Sequence, residues 1–111
     1  YRYGSSYMKK EITVHLLKDK MKKGEVVLID VREKHEHEFC KIKGSLHIPM
    51  NEIPQKIPDL NPKNKYAIVC HSGVRSEMVT NYLIKNNFDA VNVVGGIDKW
   101  SQDVDPDVKR Y

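Results

Sequence analysis

Cysteine is scarce in this chain, with two among 111 residues, and so are tryptophan, with one, proline, with five, and glycine, with six. Cys40 and Cys70 lie thirty positions apart, make no Cys-x-x-Cys pair and offer no disulfide framework, which suits a reducing compartment; a cytoplasmic protein is expected. No apolar run approaches the ~18 to 20 residues that cross a bilayer, so no membrane span is expected. Nor does a charged-then-apolar start end in small residues, so no signal peptide is expected either. Neither sign of charge dominates: 19 Lys and Arg face 15 Asp and Glu, a net charge of +4. The lysines are interleaved with acids, and the densest group, Lys18, Lys20, Lys22 and Lys23, falls where a helix shows its solvent side. Without an aromatic or arginine stripe beside it, this charge argues for a solvated face and against a nucleic-acid partner.

What remains has the composition of one globular domain, large enough to bury roughly two-thirds of its unfolded surface in a single core. Residues 1–7 contain Gly4-Ser5-Ser6, show no period and are read as a tag or linker remnant. The domain is assigned to residues 8–111, and Met8 leading straight into the first element favours a stand-alone protein over an excised domain. From there, apolar period and punctuation alternate. A short strand at 10–13 precedes a helix carrying Val14, Leu16, Leu17 and Met21 and ending at Gly24. Val26 to Ile29, Tyr66 to Val69 and Val91 to Val94 read as apolar strands of a parallel sheet. A polar helix is expected over 33–39, a short strand over 45–48, a brief helix around Ile53 to Ile57, and a helix capped by Ser76 and closed by Asn86-Asn87. The expected architecture is an α/β three-layer sandwich with a mostly parallel central sheet of about five strands. Ligands in such sheets meet the carboxyl ends of the strands, which gather Asp30 to Glu33, Cys70 to Ser76 and Gly95 to Trp100 into one crevice.

Cys70 ends a strand and precedes a loop centred on Gly73 and a helix beginning near Ser76. Such a turn points backbone N–H groups and a helix amino terminus at one spot, an anion nest in which a thiol ionises more easily. By position alone, an inert buried cysteine and a nucleophile are equally supported. Gly73, which lets the loop curl around an anion, and Arg75, a permanent positive charge, favour the nucleophile.

Cys70-His71-Ser72-Gly73-Val74-Arg75-Ser76 resembles the Cys-x-x-Gly-x-Arg-Ser loop of the rhodanese family. Its flanks agree in order: Val27 to Glu33 resembles the family's first signature, Lys43 to Pro49 its middle element and Gly95 to Trp100 its carboxyl-terminal one. Cys40-Lys41 departs from the Gly-His that many members place before the Ile of the middle element. The resemblance implies the same sandwich fold and a thiosulfate sulfurtransferase working through a Cys70 persulfide, with no cofactor. Its partners would be a small sulfur donor such as thiosulfate and a thiol, protein or cyanide acceptor. His71, Ser72, Gly73, Val74, Arg75 and Ser76 would form the anion-binding loop, with Ser76 capping the helix. Asp30 is expected to hold Arg75 or the loop N–H groups, with Arg32 a supporting residue beside it. Trp100 is expected in or beside the core. Cys40 with His35, His37 and His47 does not close a metal tetrahedron, because positions 35 and 37 point to different sides of a helix. The competing readings are a cysteine-dependent phosphatase or arsenate reductase, whose loop is longer than the four residues between Cys70 and Arg75, and a non-catalytic rhodanese-like binding module, a class that commonly lacks the loop cysteine.

Overall fold

A computed structural model describes residues 10–111; the expectation for residues 1–7 and the place of Met8 lie outside the described residues. The elements follow in the order β1 (Glu11–Ile12), α1 (Val14–Lys22), β2 (Val27–Asp30), α2 (Lys34–Phe39), β3 (Leu46–His47), α3 (Ile53–Lys56, flanked by 3₁₀ turns at Met50–Glu52 and Ile57–Asp59), β4 (Lys65–Val69), α4 (Val74–Lys85), β5 (Asp89–Val93) and α5 (Gly96–Asp103). Their strands form one sheet in the order β1-β5-β4-β2-β3, with every pairing parallel. This is the mostly parallel five-stranded sandwich expected from the sequence.

Each central strand is buried on both faces, so its alternate side chains feed two separate cores. Leu28, Ala67, Val69 and Val93 pack with Val14 and Leu17 of α1 and with Ile97 and Trp100 of α5. On the other face, Ile29, Tyr66, Ile68 and Ala90 pack with Ile53 of α3 and with Val79 and Leu83 of α4. Cys70 continues the alternation of β4 by one residue, and its side chain therefore falls on the α4 face.

Several local details differ from the sequence reading. Thr13 is not strand but the cap of α1, its hydroxyl accepting from the Leu16 N–H at 3.2 Å. β2 runs one residue further than its apolar run, taking Asp30 into the sheet. Ser76 does not cap α4; Gly73, in the left-handed region at φ +117°, occupies that place, and the helix starts at Val74. α5 is not among the helices expected from the sequence, since Gly95-Gly96 directly after a strand carries no helical period. Those two glycines turn the chain left-handed into a helix whose Ile97, Trp100 and Ser101 face inward.

Candidate active site

The crevice at the carboxyl ends of β2, β4 and β5 is organised around Cys70. Its Sγ accepts the Gly73 N–H at 3.1 Å and lies 3.2 Å from the Ser76 hydroxyl. In the first turn of α4 the leading N–H groups have no intrahelical partner, so the sulfur sits where donors and the positive end of the helix converge. Cys70 is only 1% exposed, deeper than the partly open position expected of a nucleophile, because strand alternation turns it under the loop that follows. Polar neighbours distinguish it from an inert core thiol.

Two anchors hold the loop from behind. The N–H groups of Ile97 and Asp98 at the start of α5 donate to the carbonyls of Cys70 (2.9 Å) and His71 (3.2 Å), tying both carbonyls to α5. Gly96 makes this close approach possible, since a Cβ there would stand 2.6 Å from the Cys70 oxygen. The second anchor is Asn92 of β5, buried behind the loop and missed by the sequence reading. It accepts the Ser76 hydroxyl proton at 2.5 Å and donates from Nδ2 to the Gly73 carbonyl at 3.2 Å. A lone Asn inside an apolar strand was the available signal. With its proton committed to Asn92, Ser76 Oγ presents lone pairs to Cys70 and accepts from the neutral S–H.

Arg75 is not held by Asp30, as expected, but by Glu36 of α2. The pair is bidentate, with Nη1–Oε1 at 2.6 Å and Nη2–Oε2 at 2.9 Å. Glu36 is preset for this by a capping box in which its Oε1 accepts the Glu33 N–H at 2.9 Å, and by the Tyr111 hydroxyl, which donates to its Oε2 at 2.7 Å. The Arg75 guanidinium holds the Glu36 carboxyl well below the usual carboxylate range, against partial burial.

Asp30 serves another partner because it ends a buried strand, next to its neighbour but one. Arg32 is 0% exposed, and its Nη2 meets the Asp30 carboxylate at 2.7 Å. The same guanidinium donates to the carbonyls of Cys40 and Glu36 and to the Tyr111 hydroxyl. His37 Nδ1 lies 3.0 Å from the same carboxylate oxygen, Oδ2. Burial works to raise the Asp30 pKa, but the Arg32 and His37 hydrogen bonds more than offset it and leave it lowered. The pair is thus a buried joint between β2, α2 and the tail. Cys40 is buried with Arg32 at its Sγ, and His37 and His47 stack with ring centres 4.3 Å apart, His47 bonded to the Arg32 carbonyl region at 2.8 Å.

His71, on the rim, stacks against the Tyr111 ring at 4.0 Å. Burial pushes the Tyr111 hydroxyl up to about 12. A cleft of about 360 Å3 opens beside this rim, lined by His35, Glu36, Phe39 and Tyr111.

Comparisons with known proteins identify the family. Residues 13–103 match the family described as Rhodanese-like domain. The chain belongs to that family. Over 98 residues the rhodanese-like domain is 40% identical to YtwF of Bacillus subtilis (strain 168), named as a candidate sulfurtransferase, covering 87% of this chain and 95% of that protein. It is 39% identical over 93 residues to YrkF of the same organism, named as a candidate sulfur carrier protein, but spans only 50% of YrkF while 82% of this chain is aligned. Among solved structures, a rhodanese-related protein from Thermoplasma volcanium superposes with a TM-score of 0.82 at 31% identity, covering 92% of this chain and 99% of that one. Family and named relatives together place the domain among proteins of sulfur transfer.

Proposed function

We propose that this rhodanese-like domain is a sulfurtransferase that carries sulfane sulfur on Cys70, from thiosulfate or a persulfide donor to a thiol or cyanide acceptor. The observation carrying this reading is the cysteine sulfur that accepts an N–H at the amino terminus of α4, under a loop with the family's residues. The Cys70 thiolate attacks the outer sulfur of thiosulfate; a new S–S bond forms to Sγ as the donor's S–S bond breaks, and sulfite leaves with the electron pair. An acceptor thiolate then attacks the outer sulfur, and Cys70 departs as thiolate. In this reading Gly73 N–H and the first turn of α4 stabilise the anionic sulfur. His71, Ser72 and Val74 form the mouth, while Arg75 balances Glu36 beside it. Ser76 steers the thiol proton and Asn92 holds Ser76. Asp30 and Arg32 act at a distance, fixing the helix that carries Glu36.

A thiolate carrier works in a reducing compartment, and the cytoplasm fits; among the described residues no helix is long and apolar enough to cross a membrane. The name of YrkF favours a protein among the acceptors. Incubation with thiosulfate followed by cyanide tests the reading: thiocyanate should form with wild-type protein and not with Cys70→Ser, and thiocyanate formation undiminished in that variant would refute it.

A further inference from the structure

The ring of charge around the Cys70 loop is balanced to a degree that the chain's net charge of +4 hides. All three arginines among the described residues are committed to carboxylates: Arg32 to Asp30, Arg75 to Glu36 and Arg110 to Asp98. The Arg75 pair matters most, because it stands on the reactive loop and its geometry is bidentate. Glu36 is held in place by three groups, the Glu33 N–H, the Tyr111 hydroxyl and Arg75 itself, so it does not swing away at little cost when an anion arrives. A small inorganic dianion approaching Cys70 therefore meets an ion pair, not a free cation.

A second feature lies on the same rim. The cleft of about 360 Å3 shares Glu36 and Tyr111 with the loop's surroundings, and Phe39, half exposed, offers an apolar wall to a carbon body. Thiosulfate has no carbon body to place there, whereas an organic persulfide has one.

We propose that Glu36 is a specificity-determining residue for sulfur loading, which by neutralising Arg75 beside the Phe39–Tyr111 cleft selects a cysteine-sized organic persulfide over the thiosulfate dianion. This rests on the sulfurtransferase reading of Cys70. With such a donor, the Cys70 thiolate attacks the outer sulfur of the neutral persulfide. The new bond is Sγ–S, the donor's S–S bond breaks, and the donor leaves as its thiolate; the proton stays on the transferred sulfur until water takes it. No added oxidant or reductant is needed.

The experiment measures Cys70 loading by mass, at low and high salt, with thiosulfate and with cysteine persulfide, and takes the ratio of their kcat/KM values. Glu36→Gln leaves Arg75 uncompensated and should raise the thiosulfate-to-persulfide ratio roughly three- to tenfold at low ionic strength, through KM, with the gain shrinking as salt screens it. Arg75→Ala, which leaves Glu36 uncompensated, should lower the ratio, and the double variant should bring it back toward wild type. A ratio unmoved by Glu36→Gln while both donors load Cys70 overturns this inference alone. The wild type supplies a check that does not depend on how the variants fold: its thiosulfate loading should be nearly flat with salt, and a steep fall would reveal an unquenched Arg75 and overturn the proposal. Absence of sulfur on Cys70 from either donor would overturn the sulfurtransferase reading and this inference with it.

Discussion

Gly96→Ala should separate the loop's construction from the rest of the fold. The residue has φ +62°, where an L side chain is disfavoured by roughly 1–2 kcal/mol. Its Cβ would also face the Cys70 carbonyl at 2.6 Å, and that gap has to open to at least the 3.4 Å of ordinary contact. Backbone, not a flexible side chain, lies in the way. The easiest relief moves the start of α5 from the loop and weakens the Ile97 and Asp98 N–H bonds to Cys70 and His71, each worth about 1 kcal/mol. The total is on the order of 2–4 kcal/mol, equivalent to a fall in Tm of roughly 10–20 °C. A shift approaching an ångström in the cradle of a reacting atom should cost sulfur loading about a hundredfold in the fraction that remains folded. Gly24→Ala is the control, since Gly24 has φ +67° but nothing within 4 Å of its Cβ position. It should lose about 1 kcal/mol and keep its loading rate. Urea unfolding and the rate of sulfur addition to Cys70, measured on both variants at low temperature, check this. Equal stability and equal loading rates in the two would refute the argument that Gly96 is needed for close approach.

Asp30→Asn should destabilise the fold by about 3–5 kcal/mol in denaturant unfolding, because it strands the fully buried Arg32. The folded pKa values of Asp30 and Glu36 lie below their ordinary 3.8 and 4.5, so the stability they contribute is complete above those values and is lost as pH falls below them; acid titration of stability should show a steep decline beginning near pH 4.5, shallower in Glu36→Gln. Asn92→Ala should slow sulfur loading about tenfold and soften the loop, since both the Ser76 hydroxyl and the Gly73 carbonyl lose their partner; a loading rate equal to wild type would remove Asn92 from the account. Aryl phosphate hydrolysis should be negligible beside sulfur transfer, because four residues separate Cys70 from Arg75 and Glu36 occupies the guanidinium. Phosphatase turnover exceeding sulfur transfer would promote that rival.

How far the sequence reveals this molecule depends on whether a signal is local. Apolar runs such as Tyr66 to Val69 mark a buried strand by composition alone, and the order of strands and helices then implies the layers. The Cys70 to Ser76 loop is contiguous, so its residues could be named together. Partner choice across the fold is different. Nothing near Arg75 in sequence points to Glu36, 39 positions earlier, and Asp30 looked like its natural partner only because both follow strands. Arg32 resembles a surface residue in its charged sequence neighbourhood, yet it bonds to Asp30, Cys40 and Tyr111 and is the largest fully buried side chain among the described residues. Ser76 has the chemistry of a cap, but Gly73 takes that place through its left-handed backbone, freeing Ser76 to turn toward Cys70 and Asn92. α5 was hidden because its two leading glycines, ordinarily a stop, instead turn the chain into a helix, with Gly96 making the close approach to the loop.

The central claim is that Cys70, and not Cys40, carries sulfur between donor and acceptor. Peptide mass analysis after exposure to thiosulfate or cysteine persulfide tests it directly. One added sulfur atom should appear on the peptide containing Cys70, disappear when a thiol acceptor is supplied, and persist unchanged as an event in Cys40→Ser protein. Sulfur found on Cys40, or a Cys70 adduct that no acceptor removes, would contradict the account.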